Sequence, residues 1–300
     1  MPELPEVETI VRQLAPRLVG RRLRHPQLHK TDILYHTTRR RLLAALSNAR
    51  VRAMTRRAKH AVIELSSGFR LVIQPGMSGS LLIYDRPLTA AERRYAVLEA
   101  SVGQGETLVY RDVRRLGTLR LLDPDAWSAY TARIGPEPLA DDFDLDRFLG
   151  VLTGSRQAVK KVIMDQRRLA GVGNIYANEA LFRARIDPSL PANRVDRAAA
   201  ARLHRAVRHV LAGAIRAKGT TFRDYRTGTG KKGSYQFSLL VYGRGGEPCR
   251  RCGARLATTH AIDARATTFC WRCQTVGRSD GQTVRRSAHP HAGRPGVVPE

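Results

Sequence analysis

The stretch HAVIELSSGFRLVIQ, residues 60–74, holds two short apolar runs on either side of Ser66-Ser67-Gly68. Two β-rich runs joined by so compact a polar turn predict an antiparallel hairpin rather than a helix. The pattern continues outward. SLLIY (80–84), TLVYRDV (107–113) and TLRLL (118–122) are further short runs, with Gly103-Gln104-Gly105 as another turn. Several such strands over about residues 20–131 predict a β-sandwich or barrel. Ahead of them, Val7, Ile10, Val11, Leu14 and Leu18 fall at helical spacing and Gly20 follows as a stop. That helix starts with Pro2, Glu3, Glu6 and Glu8, and acids in a first turn suit the helix dipole.

Behind the strands, RIGPEPLADD (133–142) is punctuated by Pro and Gly and reads as a linker. Helical periodicity follows around 144–150, 155–166, 175–183 and 196–217, with GVGN (171–174) as a tight turn. A Gly/Lys/Thr-rich loop containing RTGTGKKGSYQF (226–237) leads into SLLVYG (238–243), which reads as a strand. The expected division is 1–132, a linker at 133–142, a helical unit with its loop at 143–244, a four-cysteine module at 245–278, and a polar, disordered tail at 279–300.

Charge narrows the function. Lys plus Arg number 52 against 26 Asp plus Glu, a formal charge of +26. Such an excess repels itself unless a polyanion neutralises it, which makes nucleic acid the expected partner. No apolar run approaches the ~20 residues of a spanning helix, so no membrane partner is expected. With no signal-peptide pattern at the start, the expected location is the cytoplasm. Cys249, Cys252, Cys270 and Cys273 form two CxxC pairs separated by 17 residues. That spacing predicts four thiolates around one tetrahedral, structural Zn²⁺. His260 lies within the module, but four thiolates already complete such a site. The segment 228–233 lacks the GxxxxGK[ST] pattern of a nucleotide-binding loop.

MPELPEVE, RRAKH (56–60), GMSGSL (76–81), RDVRRLG (111–117), GVGNIYANEALF (171–182), VYGRGGEPC (241–249) and the CxxC module occur in one order. Together they resemble the bacterial formamidopyrimidine-DNA glycosylases, over roughly residues 1–275. The resemblance implies an α+β multidomain fold: an N-terminal β-sandwich with flanking helices, a helix-two-turn-helix domain and a C-terminal zinc finger. It implies a monomeric bifunctional DNA glycosylase and lyase that removes oxidised purines from double-stranded DNA and cuts the abasic strand through a Schiff base. Pro2 matches the nucleophile once Met1 is removed, because only the freed secondary amine can attack the sugar C1′. Glu3 matches the acid that protonates the opening deoxyribose, and Glu6 a residue that holds the N-terminus in place. Lys59, Lys160, Asn174 and Arg265 match residues that bind the backbone beside the extruded nucleotide, Lys59 at the catalytic centre itself. Met77, Arg114 and Leu116 match the side chains that fill the vacated gap. The 228–233 segment matches the loop that closes over the damaged base.

This chain departs from the family pattern at Gln74-Pro75, Val113, Leu116 and in a cysteine spacing one residue longer. Leu4 speaks for this branch over the endonuclease VIII-like enzymes, which act mainly on oxidised pyrimidines. A binding protein that had lost its catalysis would not need an intact Pro2 and Glu3.

Overall fold

The computed structural model describes residues 2–222 and 225–275. Met1, the last three residues of the expected zinc module and the expected disordered tail lie outside them. The N-terminal half runs α1 (Leu4–Leu18), β1 (Arg24–Leu28), α2 (Arg39–Leu46), β2 (Val51–Arg57), β3 (His60–Leu65) and β4 (Arg70–Gln74). It continues with β5 (Gly79–Tyr84), α3 (Ala90–Arg94), β6 (Ala96–Gly103), β7 (Glu106–Asp112), β8 (Thr118–Leu122) and α4 (Pro124–Thr131). Two antiparallel four-stranded sheets, ordered β2-β3-β4-β8 and β1-β6-β7-β5, stack as a sandwich.

The 60–74 hairpin forms in register, with Ala61 opposite Ile73 and Ile63 opposite Leu71. Its apolar runs are continuous because both of its faces are buried. Ala61, Ile63, Leu71 and Ile73 enter the core shared with α1 and the second sheet. Val62 and Val72 pack with Leu122 beneath Trp127 and Tyr130 of α4. Gly68 turns the chain with φ of 86°, a left-handed conformation that glycine adopts without a Cβ clash.

The second half is helical: α5 (Leu145–Leu152), α6 (Val159–Met164), α7 (Asn174–Ala184) and α8 (Arg197–Arg216). Asp196 caps α8 by accepting from Ala199 N at 2.7 Å. The helix expected from residue 155 begins only at Val159. There the first N–H groups, of Val159 and Lys160, donate to Leu190 O and Pro188 O instead of extending the helix backward. A ribbon of β9 (Ala257–Thr259) and β10 (Thr267–Phe269) completes the last module.

The strand expected at 238–243 does not form. Residues 235–238 make a 3₁₀ turn, and the amides of Leu240, Val241 and Tyr242 all donate to the buried carboxylate of Glu179, at 2.9–3.0 Å. Donors engaged by one carboxylate cannot also enter a strand ladder. An apolar run such as LLV is buried either way, so composition does not separate the two outcomes.

Candidate active site

The tip of α1 is seated in the helical half. Leu4 N donates to Gly171 O at 3.0 Å, and Leu4 belongs to the helical core. The Glu3 carboxylate accepts from Gly173 N at 2.7 Å and Ile175 N at 3.0 Å, at the N-terminus of α7 where the helix dipole favours an anion. Glu6 accepts from Glu3 N and Thr220 N, both at 2.8 Å, and from the Tyr176 hydroxyl. One buried carboxylate thus joins the N-terminal tip, α7 and the segment after α8. Burial raises the pKa of Glu3, opposed by nearby Lys59 and by its two backbone donors. Burial and the proximity of Glu3 raise Glu6.

Lys59 sits in the β2–β3 turn, where Ala58 has φ of 51°, and is itself 5% exposed. Burial lowers its pKa, while Glu3 draws it back up. Two groups fix this turn. Glu137, from the stretch read as a linker, accepts from Ala58 N at 2.7 Å and Arg57 Nη1 at 2.8 Å, and pairs with Arg56 at 2.7 Å. Arg56 also holds Glu8 of α1 at 2.9 Å, so that acid is structural.

On the other side, His60 Nδ1 lies 3.0 Å from Arg57 O and Nε2 lies 3.0 Å from the Tyr130 hydroxyl. A carbonyl only accepts, so Nδ1 carries the proton and Nε2 accepts from the phenol. Burial, first of several causes, pushes His60 down to about 4. A base depressed on folding costs stability as pH falls from its unfolded value near ~6.5 toward 4, about 3 kcal/mol over that window. Unfolding free energies measured between pH 7 and 4.5 are expected to decline less in His60→Gln than in the parent. Parallel declines would place the acid sensitivity elsewhere.

Glu3, Lys59, Met77, Leu116, Asn174 and Arg265 line one cavity of about 500 Å³, together with Gly76, Gly173, Ile175 and Tyr242. These residues come from seven separate stretches of chain. Met77 and Leu116, both in its lining, are 44% and 55% exposed. Pro2 is buried at the start of the same tip. Arg114 lies outside the lining, exposed, with its amide on Ser78 Oγ at 2.9 Å. Lys160 stands apart: it is fully buried, and its ammonium meets Asp263 and Thr267 of the last module. A cavity of about 540 Å³ lined by Arg57, Arg147, Arg167 and Arg168 has no acid in its lining, so acid–base chemistry falls to the first one.

Tyr242 had no assigned role in the sequence, although VYGRGGEPC contains it. The contribution of Gly173 is likewise geometric. A Cβ there would lie 2.4 Å from Glu3 Cδ, so only glycine lets the carboxylate reach the amide.

The four cysteine sulfurs lie within 4.8 Å of one another, with Cys249–Cys273 at 4.0 Å and Cys252–Cys270 at 3.5 Å. A tetrahedral ion with Zn–S bonds of ~2.3 Å needs sulfurs ~3.8 Å apart, so the set fits one structural Zn²⁺. Phe182 of α7 packs into the finger's small core, and Asn178 Oδ1 accepts from Thr268 N at 2.8 Å. Both bind the finger to the helix that carries Asn174.

Three family descriptions match successive parts of the chain: the formamidopyrimidine-DNA glycosylase N-terminal domain over residues 1–119, its H2TH domain over 134–226, and the zinc finger found in FPG and IleRS over 246–276. The formamidopyrimidine-DNA glycosylase of Stutzerimonas stutzeri is 42% identical over 284 residues, covering 91% of this chain and 100% of that protein. The one from Heliobacterium modesticaldum is 41% identical, with coverage of 91% and 100%. Among solved structures, a variant Lactococcus lactis FPG bound to DNA containing Fapy-dG superposes with a TM-score of 0.83 at 33% identity, over 91% of this chain and 99% of that one. MutM (FPG) from Thermus thermophilus gives 0.80 at 36% identity, over 91% and 98%. With its sandwich, helical domain and four-cysteine finger arranged around one cleft that holds Glu3, Lys59 and Arg265, the chain belongs to the formamidopyrimidine-DNA glycosylase family.

Proposed function

We propose that this chain excises oxidised purines from double-stranded DNA and then cleaves the abasic strand by β,δ-elimination. The observation that carries the reading is the buried Glu3 carboxylate, held by two backbone amides beside Pro2 and Lys59 in a cleft open to a large ligand. A base inside the duplex is out of reach, so the lesion is turned out into this cleft. The freed amine of Pro2 bonds to C1′ as the bond from C1′ to the damaged base breaks. An α-amino group titrates near ~7.7–8.0, so a useful fraction is neutral at physiological pH. Glu3, protonated more readily than an exposed carboxyl, donates to the opening sugar ring and leaves an iminium on Pro2. The two eliminations break the 3′ and 5′ C–O bonds, and water then releases Pro2.

Lys59, Asn174 and Arg265 face the phosphates beside the flipped nucleotide, and the +26 charge draws the duplex in. Met77 and Leu116 fill the vacated space, with Arg114 directed at the orphaned base. Leu116 is aliphatic and acts as a wedge without a π-face. The enzyme works as a monomer in the cytoplasm, at the nucleoid when engaged. Among the described residues, no helix is long and apolar enough to cross a membrane.

Borohydride added during turnover is expected to trap a covalent adduct between the Pro2 amine and DNA containing 8-oxoguanine, located by peptide mass spectrometry. A cleaving enzyme that yields no adduct, or one that cleaves with Met1 retained, would overturn the Schiff base. Excision confined to duplexes bearing oxidised pyrimidines would overturn the substrate.

A further inference from the structure

The zinc-finger loop that presents Arg265 to the cleft is held from behind by groups that its own task does not explain. Lys160 of α6 is completely enclosed, with Nζ 2.7 Å from Thr267 Oγ1 and 3.2 Å from Asp263 Oδ1. Both partners bracket Arg265. Asp263 Oδ1 accepts the Arg265 amide at 3.2 Å, and Thr267 Oγ1 lies 3.4 Å from the Arg265 carbonyl. One residue further on, Asn174 Nδ2 donates to Ala266 O at 3.1 Å. Asp263 belongs to the stretch between the cysteine pairs that is one residue longer than the family resemblance implies.

We infer that Asp263 and Lys160 form a positioning pair that fixes the Arg265 loop, and that Lys160 in this chain does not itself hold a DNA phosphate. An ammonium taken out of water is costly and is retained only with a close counter-charge and hydrogen bonds. Lys160 has both within the protein. A phosphate could reach it only by displacing Asp263, which would release the Arg265 amide and loosen the loop that the same phosphate backbone needs. The inference rests on the proposed contact between Arg265 and the backbone.

The test is equilibrium binding to a duplex carrying a non-cleavable abasic analogue, measured across a salt series, with zinc content per chain confirming that the finger is folded. Removing a true phosphate contact lowers the slope of log K against log salt by about one. Arg265→Ala is expected to do so. Lys160→Met is expected to weaken the parent's binding on the order of tenfold, yet to change neither affinity nor slope when Arg265 is already alanine. Asp263→Asn, in the exposed loop and independent of whether the Lys160 variant folds, is expected to weaken binding similarly and to add nothing to Lys160→Met. A further slope loss of about one on adding Lys160→Met to Arg265→Ala would overturn the inference. So would tighter binding with a steeper slope in Asp263→Asn, the sign of a lysine freed to meet phosphate. An Arg265→Ala variant with parental affinity and slope would instead overturn the DNA contact of Arg265, and the purpose of the pair with it.

Discussion

Replacing Gly173 with alanine is expected to slow single-turnover base excision by at least about 100-fold, the scale of a lost general acid. The backbone there, with φ of −132° and ψ of −160°, is open to any residue, so the penalty is purely one of contact. The new Cβ would fall 2.4 Å from Glu3 Cδ and 2.5 Å from Oε1, inside any permissible separation. The carboxylate must leave the amides of Gly173 and Ile175, and the proton it delivers moves away from the sugar. Overpacking of this kind also costs about 1–3 kcal/mol of stability, which leaves a domain of this size folded. Glu3→Gln is expected to match the rate loss while retaining lesion binding. Gly150→Ala serves as control: it lies on α5, nothing lies within 4 Å of its added Cβ, and it should gain roughly 0.5–1 kcal/mol with unchanged excision. Near-parental excision by Gly173→Ala would mean that Glu3 works from some other seat.

Cys252→Ser is expected to remove the zinc and with it on the order of 100-fold in affinity for lesion duplex. Among the described residues, the finger itself adds only Cys249, Leu256 and Cys270 to its small core, which Phe182 of α7 and Val241 complete; that is too little to order about 30 residues without a metal. A structural zinc supplies about 10–16 kcal/mol to such modules, so its loss unfolds the finger locally. The sandwich draws its stability from a separate core and should melt as before. Metal analysis and hydrogen exchange on the intact chain would show this, with protection lost in 246–275 and kept in 51–122. A zinc-free variant binding DNA at full affinity would remove the finger from the interface.

What could be read in advance follows from the range of the forces involved. The 60–74 hairpin and α8 announce themselves because period and turn chemistry are local, and the four cysteines because metal geometry leaves few alternatives. Glu3, Lys59 and Arg265 were named by their motifs, yet no local rule says that they meet in one cavity. The failed strand at 238–243 shows why. Its backbone donors are captured by Glu179, about 60 residues away along the chain, through a contact that has no period. For Lys160 the family pattern pointed to the DNA backbone, and nothing local announces that the fold brings Asp263 beside it, 103 positions on. Glycine 173 gave a turn signal, but not that a carboxylate would occupy the space where its side chain would be.

The seating of the N-terminal tip also has a consequence for how the enzyme is made. Glu3 finds its amide partner 170 positions downstream, and Glu6 finds one 214 positions downstream. At ribosomal speeds of ~5–20 residues per second, the chain grows for on the order of 10–40 s before those partners exist. Through that interval the beginning of the polypeptide has no pocket to enter. On the role proposed for Pro2, that interval gives an aminopeptidase an open end from which to strip Met1 before the tip is seated. A terminus seated last, from the first residues made, leaves time for its maturation ahead of its burial.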